Sequence, residues 1–289
     1  MNRSHKEQER RLQIQKLQEL PPLPLTAQEI LRALNDDDIG LNQLAAIIKR
    51  DPGLVARIIG LANSAFFGAR GITTVEEAII RSLGLATVKS LTLSMVMSGV
   101  FNTRACQAFD LEQYWKIALL SAFMAELLAR RIPVNLRPDP KTAYLCGLLH
   151  NLGLLAMVAC FPEEMGEIFT QPEAEGPCKL DNLEQRYTGI EHHEAGAWLA
   201  HKWHLPDDLT ASIESRTHNG HPPEVDALIR LSRFVNYWSC RWVNGNQDLP
   251  VPGDNGIRLG LDTAILEEIR QRVSEKYDGL CEFASCMSS

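Results

Sequence analysis

The sequence predicts an all-α protein built as two helical lobes, and three observations point there. Apolar residues recur at spacings of three and four through most of the 289 residues. Helix-start signatures punctuate the chain, among them Asp51-Pro52, Thr74-Val75-Glu76-Glu77 and Asp110-Leu111-Glu112-Gln113. Period-two alternation of apolar and polar residues, the mark of a half-buried strand, is hard to find.

The elements follow in order. Residues 1–20 are polar and read as an N-terminal segment or linker, and Pro21-Pro22-Leu23-Pro24 makes a stiff, extended entry to the first helix or a proline-rich ligand for a partner. Thr26-Ala27-Gln28-Glu29 fits a capping box, with Ile30, Leu31 and Leu34 as the buried face behind it. Leu41, Leu44, Ala45 and Ile48 form the next stripe, ending at Arg50. Asp51 then caps a third helix, with Pro52 at its first position, running through Leu61. Thr74 opens another helix and Gly84 stops it. Leu85 to Phe101 is apolar on every face and must be core. This first lobe, residues 21–105, gives way at the polar break Asn102 to Asp110 to a second, residues 106–289.

In the second lobe Asp110 opens a long helix to about Arg130, and Pro133 to Pro140 is a loop. Ala143 to Met157 follows as a buried helix that Pro162 ends, and the Pro/Gly/Glu-rich stretch Gln171 to Lys179 is an exposed loop. Helical spacing resumes over 181–187, 190–204, 206–216 and 223–243. Asn244 to Gly256 is loop-like, and Thr263 to Tyr277 is a last amphipathic helix with a fraying tail. Trp198, Trp203, Trp238 and Trp242 lie at helical spacing and read as core. Arg130-Arg131 at a helix end reads as a solvated complement to the helix dipole or as a phosphate contact.

Composition narrows the function classes. A net charge of −7 supplies no global field toward nucleic acid or anionic lipid, so neither nucleic acid nor a membrane is expected as partner. Seven Cys at 106, 146, 160, 178, 240, 281 and 286 include no CxxC pair and read as free buried thiols in a reducing compartment. The first residues are charged, without the apolar core of a signal peptide, and no apolar run is expected to reach the ~18 residues of a membrane span. The expectation is a cytoplasmic protein. Nucleophile elbows, P-loops and dinucleotide-binding glycine patterns are absent from the sequence.

The exception within the apolar stretch 143–157 is His150-Asn151, two polar groups side by side that must find partners or cost stability. The pair looks like the His-Asp doublet of HD phosphohydrolases with its acid replaced by an amide. Further matches run in order along the chain: Leu20-Pro21-Pro22-Leu23-Pro24, Ile48-Lys49-Arg50-Asp51-Pro52-Gly53-Leu54 and Leu61-Ala62-Asn63-Ser64-Ala65-Phe66-Phe67-Gly68. Gly147-Leu148-Leu149-His150-Asn151-Leu152-Gly153 follows, then Glu191-His192-His193-Glu194-Ala195-Gly196 with Trp203-His204-Leu205-Pro206. Together, over roughly Leu20 to Trp238, they make the chain resemble the HDOD (HD-related output domain) family of bacterial signalling proteins. That resemblance implies an HD-like helical fold for the second lobe. It also implies a signal-transduction role through contacts with other, unidentified signalling proteins, often downstream of receiver modules.

Carried over residue by residue, the HD metal set is mostly lost. Ile117 falls where the first His stands, His150-Asn151 is the doublet, and Arg233 falls at the late Asp. Divalent cations in such a site need anionic oxygen, and a guanidinium ~6 Å from a dication costs on the order of 5 kcal/mol at an effective dielectric of 20. His192, with His218 or His221, offers a histidine-rich alternative better suited to Zn²⁺ or Ni²⁺, although Thr217-His218-Asn219-Gly220-His221 departs from the paired His of the family. The expectation is a non-catalytic module with no metal or cofactor. Two other readings stay open: a sensor that binds a nucleotide through Arg233 and His150, and a residual metal-dependent phosphohydrolase.

Overall fold

In a computed structural model the chain is described over residues 20, 22–34, 40–68, 70–171, 180–214 and 221–288, and among these it is helical with no strand. Helix α1 spans Leu25–Leu34, α2 Leu41–Ile48, α3 Pro52–Ala62, and α4 Val75–Ala78, which runs on into a π turn at Ile79–Leu83. Helix α5 spans Leu85–Ser98, α6 Leu111–Ala129, α7 Pro140–Leu149, α8 Leu152–Cys160, and α9 Pro162–Phe169. Helix α10 spans Leu180–Tyr187, α11 His192–Lys202, α12 Asp207–Glu214, α13 Pro223–Val243, α14 Gly253–Arg258 and α15 Thr263–Ser288.

The start signals behave as side-chain chemistry requires. Asp51 Oδ1 accepts from the backbone N–H of Gly53 (2.8 Å) and Leu54 (3.2 Å). Thr74 and Glu77 close a full capping box, and Asp110 and Asp139 cap α6 and α7. The box expected at Thr26 does not form. Helix α1 begins two residues earlier than that cap requires, with Pro24 O taking the N–H of Gln28, and the Gln28 amide donates to Leu23 O. Gly84, at φ 77°, lets the chain turn from the π turn into α5. Helix α5 is buried nearly all round, and its Lys89 donates Nζ–H to Ala33 O at the C-terminal end of α1, 2.5 Å away.

Helix α6 is the axis of the second half: α7, α13 and α15 all pack on it. The crossing with α7 is tight at Gly147, where a Cβ would lie 2.7 Å from Ser121 O. The continuous helix expected over 143–157 is in fact two, broken at His150-Asn151, with Asn151 at φ −98°, ψ 18°. His150 ends α7 by placing its own Nδ1 2.7 Å from Gly147 O, on the last turn of the helix.

Pro140–Cys160 is long and apolar enough by composition to cross a membrane, contrary to the sequence expectation. Here 83% of its most apolar stretch is covered by the rest of the chain. Two other boundaries differ. The loop 244–256 runs into the short helix α14, and α15 continues to Ser288 instead of fraying after Tyr277, because Leu280, Phe283, Ala284 and Met287 keep the apolar spacing and are buried.

Trp203, Trp238 and Trp242 are core residues, and Trp198 is half-buried beneath the Lys202 ammonium. Arg130 pairs with Glu126 and Arg131 with Glu268, both exposed and worth little. Cys106 and Cys146 are buried thiols; Cys160, Cys240 and Cys281 are half-buried, and Cys286 is exposed because it lies on the outer face of α15. The N-terminal segment 1–19, Pro21, the loop 172–179 with Cys178, and the stretch 215–220 with His218 lie outside the described residues.

Candidate functional site

The break between α7 and α8 sits at the floor of a cleft of about 570 Å³. Helix α6 supplies Gln113, Tyr114 and Ile117 to its wall, the break supplies Asn151, α11 supplies His192, and α13 supplies Asn236, Cys240 and, at its end, Asn244. The floor is drawn together by glycine. A Cβ on Gly153 would lie 1.8 Å from His192 O and 2.5 Å from Gly196 N, so only two glycines let α8 and α11 approach this closely.

His150 is 3% exposed, and burial depresses its pKa to about 4. It is therefore neutral at pH 7. The Gly147 carbonyl fixes the hydrogen on Nδ1, so Nε2 carries a bare lone pair, and Nε2 has no hydrogen-bond partner. Asn236 lies close enough to favour the protonated ring without reaching bonding geometry. Asn151, 8% exposed, donates Nδ2–H weakly to Asn236 Oδ1 at 3.4 Å, and its own Oδ1 has no partner.

Beside the doublet lies an ion pair. Glu184 is fully buried on α10, and its Oε2 accepts from both the backbone N–H (2.8 Å) and Nδ1 (2.7 Å) of His192. Burial works against charge on His192, but Glu184 and then Asp181 outweigh it, and the His192 pKa is raised. Asp181 Oδ1 lies 3.5 Å from His192 Nδ1 without bonding it, and burial raises the Asp181 pKa against the pull of His192. His193, its ring 4.0 Å from that of His192, is held neutral by burial and then by the neighbouring His192 charge.

The sequence-derived residues are thus partly assembled. Ile117, Asn151 and His192 line the cleft and His150 lies beneath it. Arg233 does not line it: it is exposed on α13, and its charge bears on Asp181 and His193. The α13 residue that faces the doublet is Asn236, one turn further on. Sequence reasoning missed Asn236, although a polar residue at i+3 from the inferred position was the available signal. It also missed Glu184, which nothing in 181–187 distinguished from a surface acid.

At the doublet Asn151 faces a second amide, Asn236, and shares the cleft wall with Ile117. The carboxylate on that wall, Asp110, accepts from Gln113 N–H as the cap of α6, which leaves a poor donor set for a divalent cation. Asp181, His192 and His193 place ligating atoms within 4.8 Å of one another, but His192 holds its proton toward Glu184 and the Arg233 field bears on the other two.

A family model for the HDOD domain matches residues 20–219. An uncharacterized protein of Treponema pallidum (strain Nichols) is 32% identical over 235 residues, which is 80% of this chain and 44% of that protein. The crystal structure of a Marinobacter aquaeolei VT8 protein provisionally named for signal transduction is 27% identical, with a TM-score of 0.78 over 94% of this chain and 60% of that one. A Shewanella amazonensis SB2B protein provisionally named a phosphohydrolase is 25% identical, with a TM-score of 0.73 over 94% and 97% of the two chains. The chain thus spans less than half the length of the Treponema relative.

Proposed function

Because this chain belongs to the HDOD domain family, we propose that it is a signal-transduction module that regulates other proteins by contact and catalyses nothing itself. One observation carries the reading: Asn151 and Asn236 face each other where an HD-type reaction needs anionic oxygen to hold a metal and orient water. An amide bears no charge and cannot take a proton from water near pH 7, so phosphoester hydrolysis of the HD kind has neither metal nor base here. In this reading its partners are signalling proteins, and the absence of a disulfide among the described cysteines supports a reducing, cytoplasmic setting.

The test is metal analysis of protein purified without chelator, with turnover assays on nucleotides and cyclic dinucleotides. Less than about a tenth of an equivalent of metal per chain and no turnover is expected. Stoichiometric Mn, Fe or Zn with phosphate release would establish the residual phosphohydrolase instead. A second reading, that the cleft senses a small ligand, is favoured by its volume, which lies within the range of about 300–1,000 Å³ usual for ligand sites.

A further inference from the structure

Resting on the reading of the cleft as a ligand site, we propose that it binds an uncharged, planar nitrogen heterocycle of the nucleobase type, free or as a nucleoside, and not a phosphate group. Beside the Asp110 carboxylate the wall carries five neutral amides: Asn151, Gln171 and Asn236, and Gln113, whose Nε2–H donates to Oδ1 of the fifth, Asn244, at 3.0 Å. Each carries a donor and an acceptor fixed in one plane, the pattern that pairs with the edge of a heterocyclic base. Against them stand Phe109, Tyr114 and Phe169, with Phe109 5.7 Å from Phe169 and 6.1 Å from Tyr114, an aromatic side on which a flat ring stacks.

Two further observations set the charge of the ligand. No Lys or Arg lines the cleft among the described residues, and its one basic group, His192, is already engaged by the buried Glu184 carboxylate. Among the described residues, a phosphate entering here would meet no lysine or arginine on the wall to receive it. The Asn151 amide is more than nine-tenths buried, yet its Oδ1 lacks any partner. A buried acceptor in that state is stabilised by an incoming N–H, which bases supply and phosphate oxygens do not.

The experiment is calorimetric titration of the full chain with adenosine, guanosine, cytidine, uridine and the free bases, beside the matching 5′-monophosphates and inorganic phosphate. At least one nucleoside is expected to bind within about threefold of its monophosphate, since no cation rewards the added charge. Ile117→Trp, which fills the cleft, should abolish that binding, and Asn236→Leu or Phe169→Ala should weaken it about tenfold or more. Gln113→Leu at the rim serves if Ile117→Trp fails to fold.

A monophosphate or phosphate that binds ten times or more tighter than any nucleoside would overturn the uncharged ligand while keeping the cleft as a ligand site. Silence of every probe at about 1 mM would remove both. Binding that ignores all the substitutions would place the ligand elsewhere and overturn the proposal.

Discussion

Asn151 on the α7–α8 break and Asn236 on α13 meet across the cleft floor, Nδ2 of the first 3.4 Å from Oδ1 of the second. At that length the bond is weak, and its replacement by two acids asks whether the cleft keeps the geometry of a metal site. In Asn151→Asp/Asn236→Asp two carboxylates share one buried space, so one must hold a proton or both repel. Without metal the double variant should lose about 2 kcal/mol, read as a lower midpoint in urea. Mn²⁺ should restore that loss in the variant and leave the parent protein unmoved. Absence of rescue would show that the backbone, as well as the side chains, has departed from a metal-binding arrangement.

Acid should destabilise the protein through His150. Its folded pKa of about 4 lies below the usual 6.5, so the unfolded chain takes up a proton that the native ring refuses. The stabilising contribution is full above about pH 6.5 and is gone by about pH 4. At 1.36 kcal/mol per unit it amounts to about 3 kcal/mol over that window. His193, also held neutral, acts in the same sense. His150→Gln should flatten the fall of urea midpoint between pH 6.5 and 4.5, and an unchanged slope would show that the proton goes elsewhere.

His192 has the opposite sign. With its folded pKa raised, its contribution is complete below pH 6.5 and is lost as pH rises through the folded value. Glu184→Gln leaves the imidazolium buried without its carboxylate, which costs about 3–5 kcal/mol at pH 6 and less at pH 8, where a smaller share of the ring is charged. Denaturation at the two pH values checks this, and an equal loss at both would mean that His192 is neutral in the native protein.

Two glycines in helices should respond in opposite directions to alanine. At Gly153 a Cβ meets the backbone of His192 and Gly196, which cannot move aside, so Gly153→Ala should lose about 3 kcal/mol or more. Gly60 on α3 is exposed with nothing within 4 Å, so Gly60→Ala should gain up to about 1 kcal/mol. Thermal denaturation of the pair tests the close crossing against a control of the same chemistry.

What the sequence revealed and what it hid divide along physical lines. Local chemistry was legible: Asp51, Thr74 and Asp110 cap helices by bonds spanning two to three residues, so position alone reveals them. The doublet itself was legible, because two polar groups in an apolar run are costly wherever they lie. The break there was not, since the apolar pattern runs on through 150–151, and the close crossing of α8 and α11 at Gly153 and Gly196 is a property of tertiary packing. Nor was the choice of Asn236 over Arg233, which depends on how far α13 is rotated about its axis, a property of packing and not of spacing.

Helix α15 shows the same limit at the C-terminus, and it gives a further test. Spacing alone does not say whether the apolar residues after Tyr277 find a surface to cover. In the fold they do: α15 lies along α6 and reaches α3, Gly279 sits where a Cβ would come within 2.3 Å of Phe66 N, and Lys276 Nζ donates to Phe66 O at 2.9 Å. The tail therefore ties the second lobe to the first, and its stability is that of a core element. Phe283, 2% exposed, should cost about 3–5 kcal/mol on Phe283→Ala, whereas the adjacent exposed Glu282→Ala should stay within about 0.5 kcal/mol. Hydrogen exchange should find the amides of 280–287 protected to nearly the same degree as those of α6. Fast exchange there, with a small loss for Phe283→Ala, would mean that the last turns are undocked in solution and that the two lobes are joined without them.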